Sequence, residues 1–140
     1  MATAHEAIWA FSEDILDFRK KFKEHLKAQV SQPRGIPLHR YKGQISLEDD
    51  GLLLAGKDKD SHREFRLLVF FKQIVDIYLG WDDVLRRWHD TRAWIRPLRV
   101  TFENHQKRVL YIYARKIGAK IYGRENKALY ETLNNKIVQR

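Results

Sequence analysis

No cysteine occurs among the 140 residues. That excludes disulfide frameworks, thiolate metal sites, cysteine nucleophiles and thioether-linked haem, and it fits a reducing compartment. Long apolar runs are lacking too. Runs such as Leu67 to Phe71 are far below the roughly 20 residues that a membrane-crossing helix needs. The amino terminus mixes His5, Glu6, Glu13 and Asp14 with its apolar residues, so it carries no secretory pattern. Acidic charge is the minority, with 18 Asp+Glu against 27 Lys+Arg and a net charge of +9. Internal repeats and low-complexity segments are absent. What is present is enough apolar material, 44% of residues and 12% aromatic, for one core, because a chain of this length buries roughly two thirds of its unfolded surface. The composition predicts one soluble, basic, cytoplasmic domain.

The first segment has helical periodicity. Ile8, Phe11, Ile15, Phe18, Phe22 and Leu26 recur at steps of three and four and would share a face, opposite Arg19, Lys20, Lys21, Lys23 and Lys27. Two starts compete: Thr3 with Glu6 as a capping box, and Ser12 ahead of Glu13 and Asp14. A linker follows at Ser31 to Gly35, and Pro37 keeps the next residues extended. The period then changes to two. Ile45 and Leu47 lead into a turn at Glu48 to Gly51, and Leu52 to Ala55 return as the second arm of a hairpin. Glu64 to Phe71 and Gln73 to Leu79 are the next strands. Trp81 to Trp88 reads as a short helix or helical turn or, alternatively, as a continuation of the preceding strand. Strands follow near Leu98 to Phe102 and Val109 to Ala114, with a further one at Lys116 to Tyr122. Leu129, Leu133 and Ile137 mark a terminal helix with Gly123 or Asn126 as cap.

An antiparallel sheet region closed by one terminal helix is an α+β arrangement. From Gln44 to Ile137 the order resembles the pleckstrin-homology-like barrel, in particular its bacterial and GRAM-type versions. The resemblance rests on the hairpin Ile45-Ser46-Leu47 with Gly51-Leu52-Leu53-Leu54, the paired strands at Phe65 to Phe71 and Ile74 to Gly80, the strand Pro97 to Phe102, and the amphipathic tail. It implies six or seven strands closed by the last helix, with residues 1–30 as an added helical extension and 31–140 as the barrel domain. It also implies a docking module for membranes or proteins, without a catalytic centre or cofactor. The family's headgroup-binding residues do not transfer, because the loop that should be basic reads Glu48-Asp49-Asp50-Gly51.

Motifs for catalysis fail on their chemistry. Gly51 to Asp58 has the glycine spacing of a phosphate loop, yet Asp58 stands where a magnesium-binding hydroxyl is required. His5-Glu6 opens a zinc-helix pattern whose second histidine is replaced by Trp9. The remaining histidines, His25, His39, His62, His89 and His105, are scattered. No serine sits in a Gly-x-Ser-x-Gly elbow, and the carboxylates at Glu48 to Asp50 lie on a hairpin tip where nothing raises their pKa.

One stretch stands out. Between Trp81 and Arg96, three tryptophans are interleaved with Arg86, Arg87, Arg92 and Arg96. Arginine forks match phosphate and carboxylate, and tryptophan suits interfaces and headgroup layers. The competing reading packs Trp81 and Trp88 into the core with the arginines solvated outside. The anion-facing set expected from the sequence is Arg86, Arg87, Trp88, Arg92, Trp94 and Arg96, extended by Lys116 and Lys120. Its partner would be an anionic membrane surface, with the protein peripheral there, or an acidic protein. The alternative is non-specific nucleic-acid binding, which positive charge alone supports.

Overall fold

The computed structural model describes residues 3–24, 39–85 and 95–138. Strand β1 (Thr3–Phe11) runs directly into helix α1 (Ser12–Glu24), and β2 (Tyr41–Leu47), β3 (Gly51–Asp58) and β4 (Glu64–Phe70) follow as a meander. A 3-10 turn, Phe71–Gln73, leads into β5 (Ile74–Leu79), then β6 (Leu98–Asn104), β7 (Gln106–Arg115) and helix α2 (Asn126–Val138). All pairings are antiparallel. They build one curled sheet in the order β4-β3-β2-β1-β7-β6-β5. The expected antiparallel sheet with a terminal helix is therefore present, with seven strands among the described residues. Its hydrogen-bonded ladder ends at β4 on one side and β5 on the other.

The amino-terminal helix is shorter than the periodicity suggested. Thr3–Phe11 is a strand at the middle of the sheet, paired with β2 on one side and β7 on the other. It is integral to the sheet rather than part of a helical extension. Ala7, Ile8, Trp9, Ala10 and Phe11 are all buried, because a central strand covered on both faces has no polar side to show. The helix starts at Ser12, the second of the two candidate starts. There the Asp14 carboxylate accepts the Phe11 N–H at 2.9 Å, satisfying a donor that the first helical turn leaves open. Ile15 of the expected apolar face is buried and Phe18 half-buried. The side chain of Phe22, Leu26, the linker at 31–35 and Pro37 lie outside the described residues.

Both faces of the sheet carry a core. On the inner side, Trp9, Phe11, Leu54, Val100, Phe102 and Ile112 pack with Leu129 and Leu133 of α2. Trp9, Phe11, Tyr41, Phe65 and Phe102 make a network of ring contacts, the closest being Tyr41 to Phe65 at 4.3 Å between centroids. On the outer side, Ile8, Ile15, Leu85, Ile95, Tyr111 and Tyr113 form a second cluster. Gly43 faces Gly56 where β2 and β3 approach closely. A Cβ at either position would overlap the opposite backbone, so only glycine lets the strands approach that closely.

Two expectations need correction. Trp81–Leu85 is neither helix nor continued strand but a bend, folded around the Asp82 carboxylate, which accepts the N–H groups of Val84 and Leu85 at 2.9 and 2.8 Å. The rest of that predicted element lies outside the described residues. Lys116 to Tyr122 is not a strand either. It is a turn pinned back onto β1 by the Glu6 carboxylate, which accepts the Gly118 N–H at 2.8 Å.

Candidate docking surface

The approach to β6 and the exit from β7 lie at the same end of the sheet, since Leu98 pairs with Ile112. One side chain ties them together. Asn126, 1% exposed, accepts the Ala114 N–H at 2.8 Å through Oδ1 and donates Nδ2 to the carbonyls of Arg96 and Ile112 at 2.7 and 3.0 Å. Asn126 was a candidate cap in the sequence. Its larger role is to clamp residue 96 to β7 and to the start of α2. Gly123 completes the clamp. Its N–H reaches the Ala114 carbonyl at 2.8 Å, its φ is 100°, and a Cβ there would collide with Ile95.

From this platform Arg96, Lys116, Lys120, Arg124 and Lys127 are exposed. Among the described residues no carboxylate pairs with Arg96, Lys116 or Lys120. The nearby acids are already engaged. Glu6 accepts from Gly118 and lies 3.5 Å from Arg115. Its pKa is lowered by the Gly118 hydrogen bond first, with the Arg115 charge adding to the effect. Glu125 lies 3.5 Å from His5.

The other arginines contrast with these. Arg40 is held by Asp14 at 2.8 Å and Asp58 at 2.9 Å. Asp58 also accepts the N–H groups of Asp60 and Ser61. The Arg40 hydrogen bond and these two N–H groups bring its pKa down to about 2. Arg99 bonds Asp82 at 3.1 Å and Asp76 at 3.2 Å, with Tyr111 donating its hydroxyl to Asp82 at 2.7 Å. Burial pushes the Tyr111 hydroxyl pKa up, and its bond to Asp82 pushes it further. Arg108 pairs with Glu13 at 2.8 Å and lies over the Phe11 ring. Arg115 lies over Tyr122. Guanidinium groups held this way are structural, whereas Arg96, Lys116, Lys120 and Lys127 are exposed with no carboxylate partner among the described residues.

Two surface grooves, of about 570 and 590 Å³, flank the sheet. The first is lined by Asp82, Arg99, Thr101 and Tyr111, and the second by Asp14, Arg40, Tyr41 and Asp58. In the first, Asp82 is paired with Arg99, and in the second Asp14 and Asp58 are paired with Arg40. Among the described residues no group of three His, Asp or Glu could hold a metal ion.

Of the anion-facing set expected from sequence, Arg96, Lys116 and Lys120 are exposed at one end of the sheet. Arg86, Arg87, Trp88, Arg92 and Trp94 lie outside the described residues. Trp81 packs half-buried against the outer cluster beside Val84, as the core reading expected for that residue. Lys127 was missed because the helical pattern drew attention to the buried face of α2. No helix among the described residues is long and apolar enough to cross a membrane. No protein-family model matches the chain, and no curated protein matches its sequence.

Proposed function

We propose that this chain is a non-catalytic docking module with a fold of the pleckstrin-homology-like, GRAM-type kind. Its basic sheet end meets an anionic partner, either a membrane surface or an acidic protein. The observation that carries this reading is the contrast among its cations: four arginines are committed to carboxylates or aromatic rings, while Arg96, Lys116 and Lys120 are exposed and unpaired at one end. In sequence, the residues just before Arg96 are rich in the arginines and tryptophans that binding surfaces favour.

Co-sedimentation with vesicles at low salt tests the membrane form. Anionic vesicles should retain the protein and neutral ones should not, with retention falling as salt rises. Reversing charge at Arg96, Lys116 and Lys120 together should weaken retention roughly a hundredfold or more, at about 1 kcal/mol per cation. The unfolding midpoint should hardly move, since exposed unpaired side chains contribute little to stability. Equal recovery with both vesicle types removes the membrane form and leaves the acidic protein. Salt-sensitive retention on random-sequence DNA, with none on anionic vesicles, would instead favour nucleic acid.

A further inference from the structure

The two ends of the ladder are not alike. At β5 the pairing with β6 is broken by a register shift between Ile74 and Asp76, the kind of bulge that blunts an edge. Strand β4 is seven residues in unbroken register with β3, contains no proline, and has no strand on its other side among the described residues.

The orientation of its backbone follows from the flanking bonds. The Arg63 carbonyl accepts from Asp58, and the Phe71 N–H donates to Asp50, so odd-numbered residues face β3. Even-numbered residues, Glu64, Arg66, Leu68 and Phe70, therefore turn their backbone groups to the open side. The Phe70 N–H is capped by the Gln73 side chain at 3.0 Å. Those of Glu64, Arg66 and Leu68 have no partner among the described residues.

We infer that β4 is a self-pairing edge, and that its occupant is β4 of a second copy of this chain, antiparallel about a two-fold axis through Leu67. In that register Arg66 of one copy and Leu68 of the other exchange backbone hydrogen bonds, twice over. No like charges meet. Glu64 lies opposite Phe70 of the second copy, whose ring carries Lys72 with its Nζ 5.9 Å from the centroid, so a Glu64–Lys72 ion pair closes each end. Centring the axis on Arg66 would set two guanidinium groups face to face, which disfavours that alternative. On the inner side the half-buried Phe65 and Leu67 would gain cover. On the outer side Leu68, 37% exposed, would meet the second copy's Arg66 stem. Charge complementarity at both ends and matching donors in the middle favour this chain over an unrelated extended peptide.

The absence of cysteine makes the register directly testable. Leu67 faces its own counterpart as a non-hydrogen-bonded pair, where Cα atoms approach to about 4.5 Å, within disulfide range. Leu67→Cys should therefore cross-link to a covalent dimer under mild oxidation, much faster than Val138→Cys, whose site is 75% exposed elsewhere on the surface. Because Leu67 is half-buried, a second pair guards against misfolding. Arg66→Cys mixed with Leu68→Cys should give the heterodimer in preference to either homodimer. Sedimentation equilibrium of the native chain should show a dimer that strengthens as salt screens the repulsion between two +9 molecules. Leu68→Pro removes one outward N–H at a position where an edge strand tolerates proline, and it should return the monomer with an unchanged circular dichroism spectrum. A monomer at all salt concentrations, cross-linking no faster than at residue 138, or a dimer that survives Leu68→Pro would each overturn the proposal.

Discussion

Asn126 satisfies three backbone groups with one amide, two of them in buried bonds, to Ala114 and Ile112, and the third, to the Arg96 carbonyl, in a part-buried one. Truncation to alanine would orphan the Ala114 N–H and the carbonyls of Arg96 and Ile112. Each unsatisfied buried group costs about 1–3 kcal/mol, and partial relaxation recovers some of it. Asn126→Ala should therefore lower stability by about 3 kcal/mol in urea unfolding. It should also loosen residues 95–97 as seen by amide exchange. Asn126→Asp should be no better, because a carboxylate supplies the acceptor but meets two carbonyls with no donor.

Strands β2 and β3 owe their close approach to the facing pair Gly43 and Gly56. Replacing Gly43 by valine would drive its Cβ into the Ala55 carbonyl and the Gly56 Cα. The hairpin must then open, away from the ring network of Trp9, Tyr41 and Phe65. The cost should be about 2 kcal/mol or more, checked by thermal unfolding and by loss of near-ultraviolet dichroism from the displaced rings. At this scale the sequence was informative where burial is one-sided. Ile45 and Leu47 alternate with exposed or half-exposed partners, and the hairpin was legible from that pattern. Strands β4 and β5 were legible as strands from their Phe, Leu, Ile and Val content but were expected to be covered on both sides, whereas Glu64, Arg66, Leu68, Val75, Asp76 and Tyr78 are exposed. Strand β7 was legible although Leu110 to Ala114 are buried on both faces. The sequence misled at the amino terminus. Ala7 to Phe11 offers no polar alternation, and Ile8 and Phe11 happen to continue the spacing of Ile15 and Phe18 in α1, so strand and helix merged into one period. The turn after Arg115 was misread for a related reason: Ile117, Ile121 and Tyr122 look strand-like, and the bonds that fold them back include one to Glu6, more than a hundred residues away, which no local pattern reveals. The cations of the candidate surface were visible as residue types. Which of them are unpaired was not, since the partners of Arg40, Arg99, Arg108 and Arg115 are set by tertiary contacts.

Across the whole molecule, the Arg40 cluster joins α1, the approach to β2 and the turn between β3 and β4. Its acid response has a definite sign. The Asp58 pKa is about 2 in the fold, against an ordinary value of 3.8 for the free side chain. Its contribution to stability is therefore fully present above the unfolded value and is lost as pH falls from there through about 2. Asp82 acts in the same direction. Burial opposes its ionisation, but the Tyr111 hydroxyl, the Leu85 and Val84 N–H groups and Arg99 outweigh that and leave its pKa lowered. Denaturant midpoints should thus be flat near neutral pH and fall steeply in strong acid. Asp58→Asn should reduce that slope while lowering the midpoint at neutral pH, because an amide no longer offsets the Arg40 charge.

The position of β1 has a consequence for synthesis. Of the seven strands described, the earliest in the chain is held on one flank by the latest, with Glu6 beside Arg115 and Phe11 beside Leu110. Until β7 has been made, a two-sided greasy ribbon lacks half of its shelter. The meander from β2 to β4 can assemble locally in the meantime, but sealing the sheet requires closing a loop of nearly the full chain length, the slow kind of step in folding. A nascent chain arrested before residue 106 would expose Trp9 and its neighbours, and would be the form most prone to clump with its siblings.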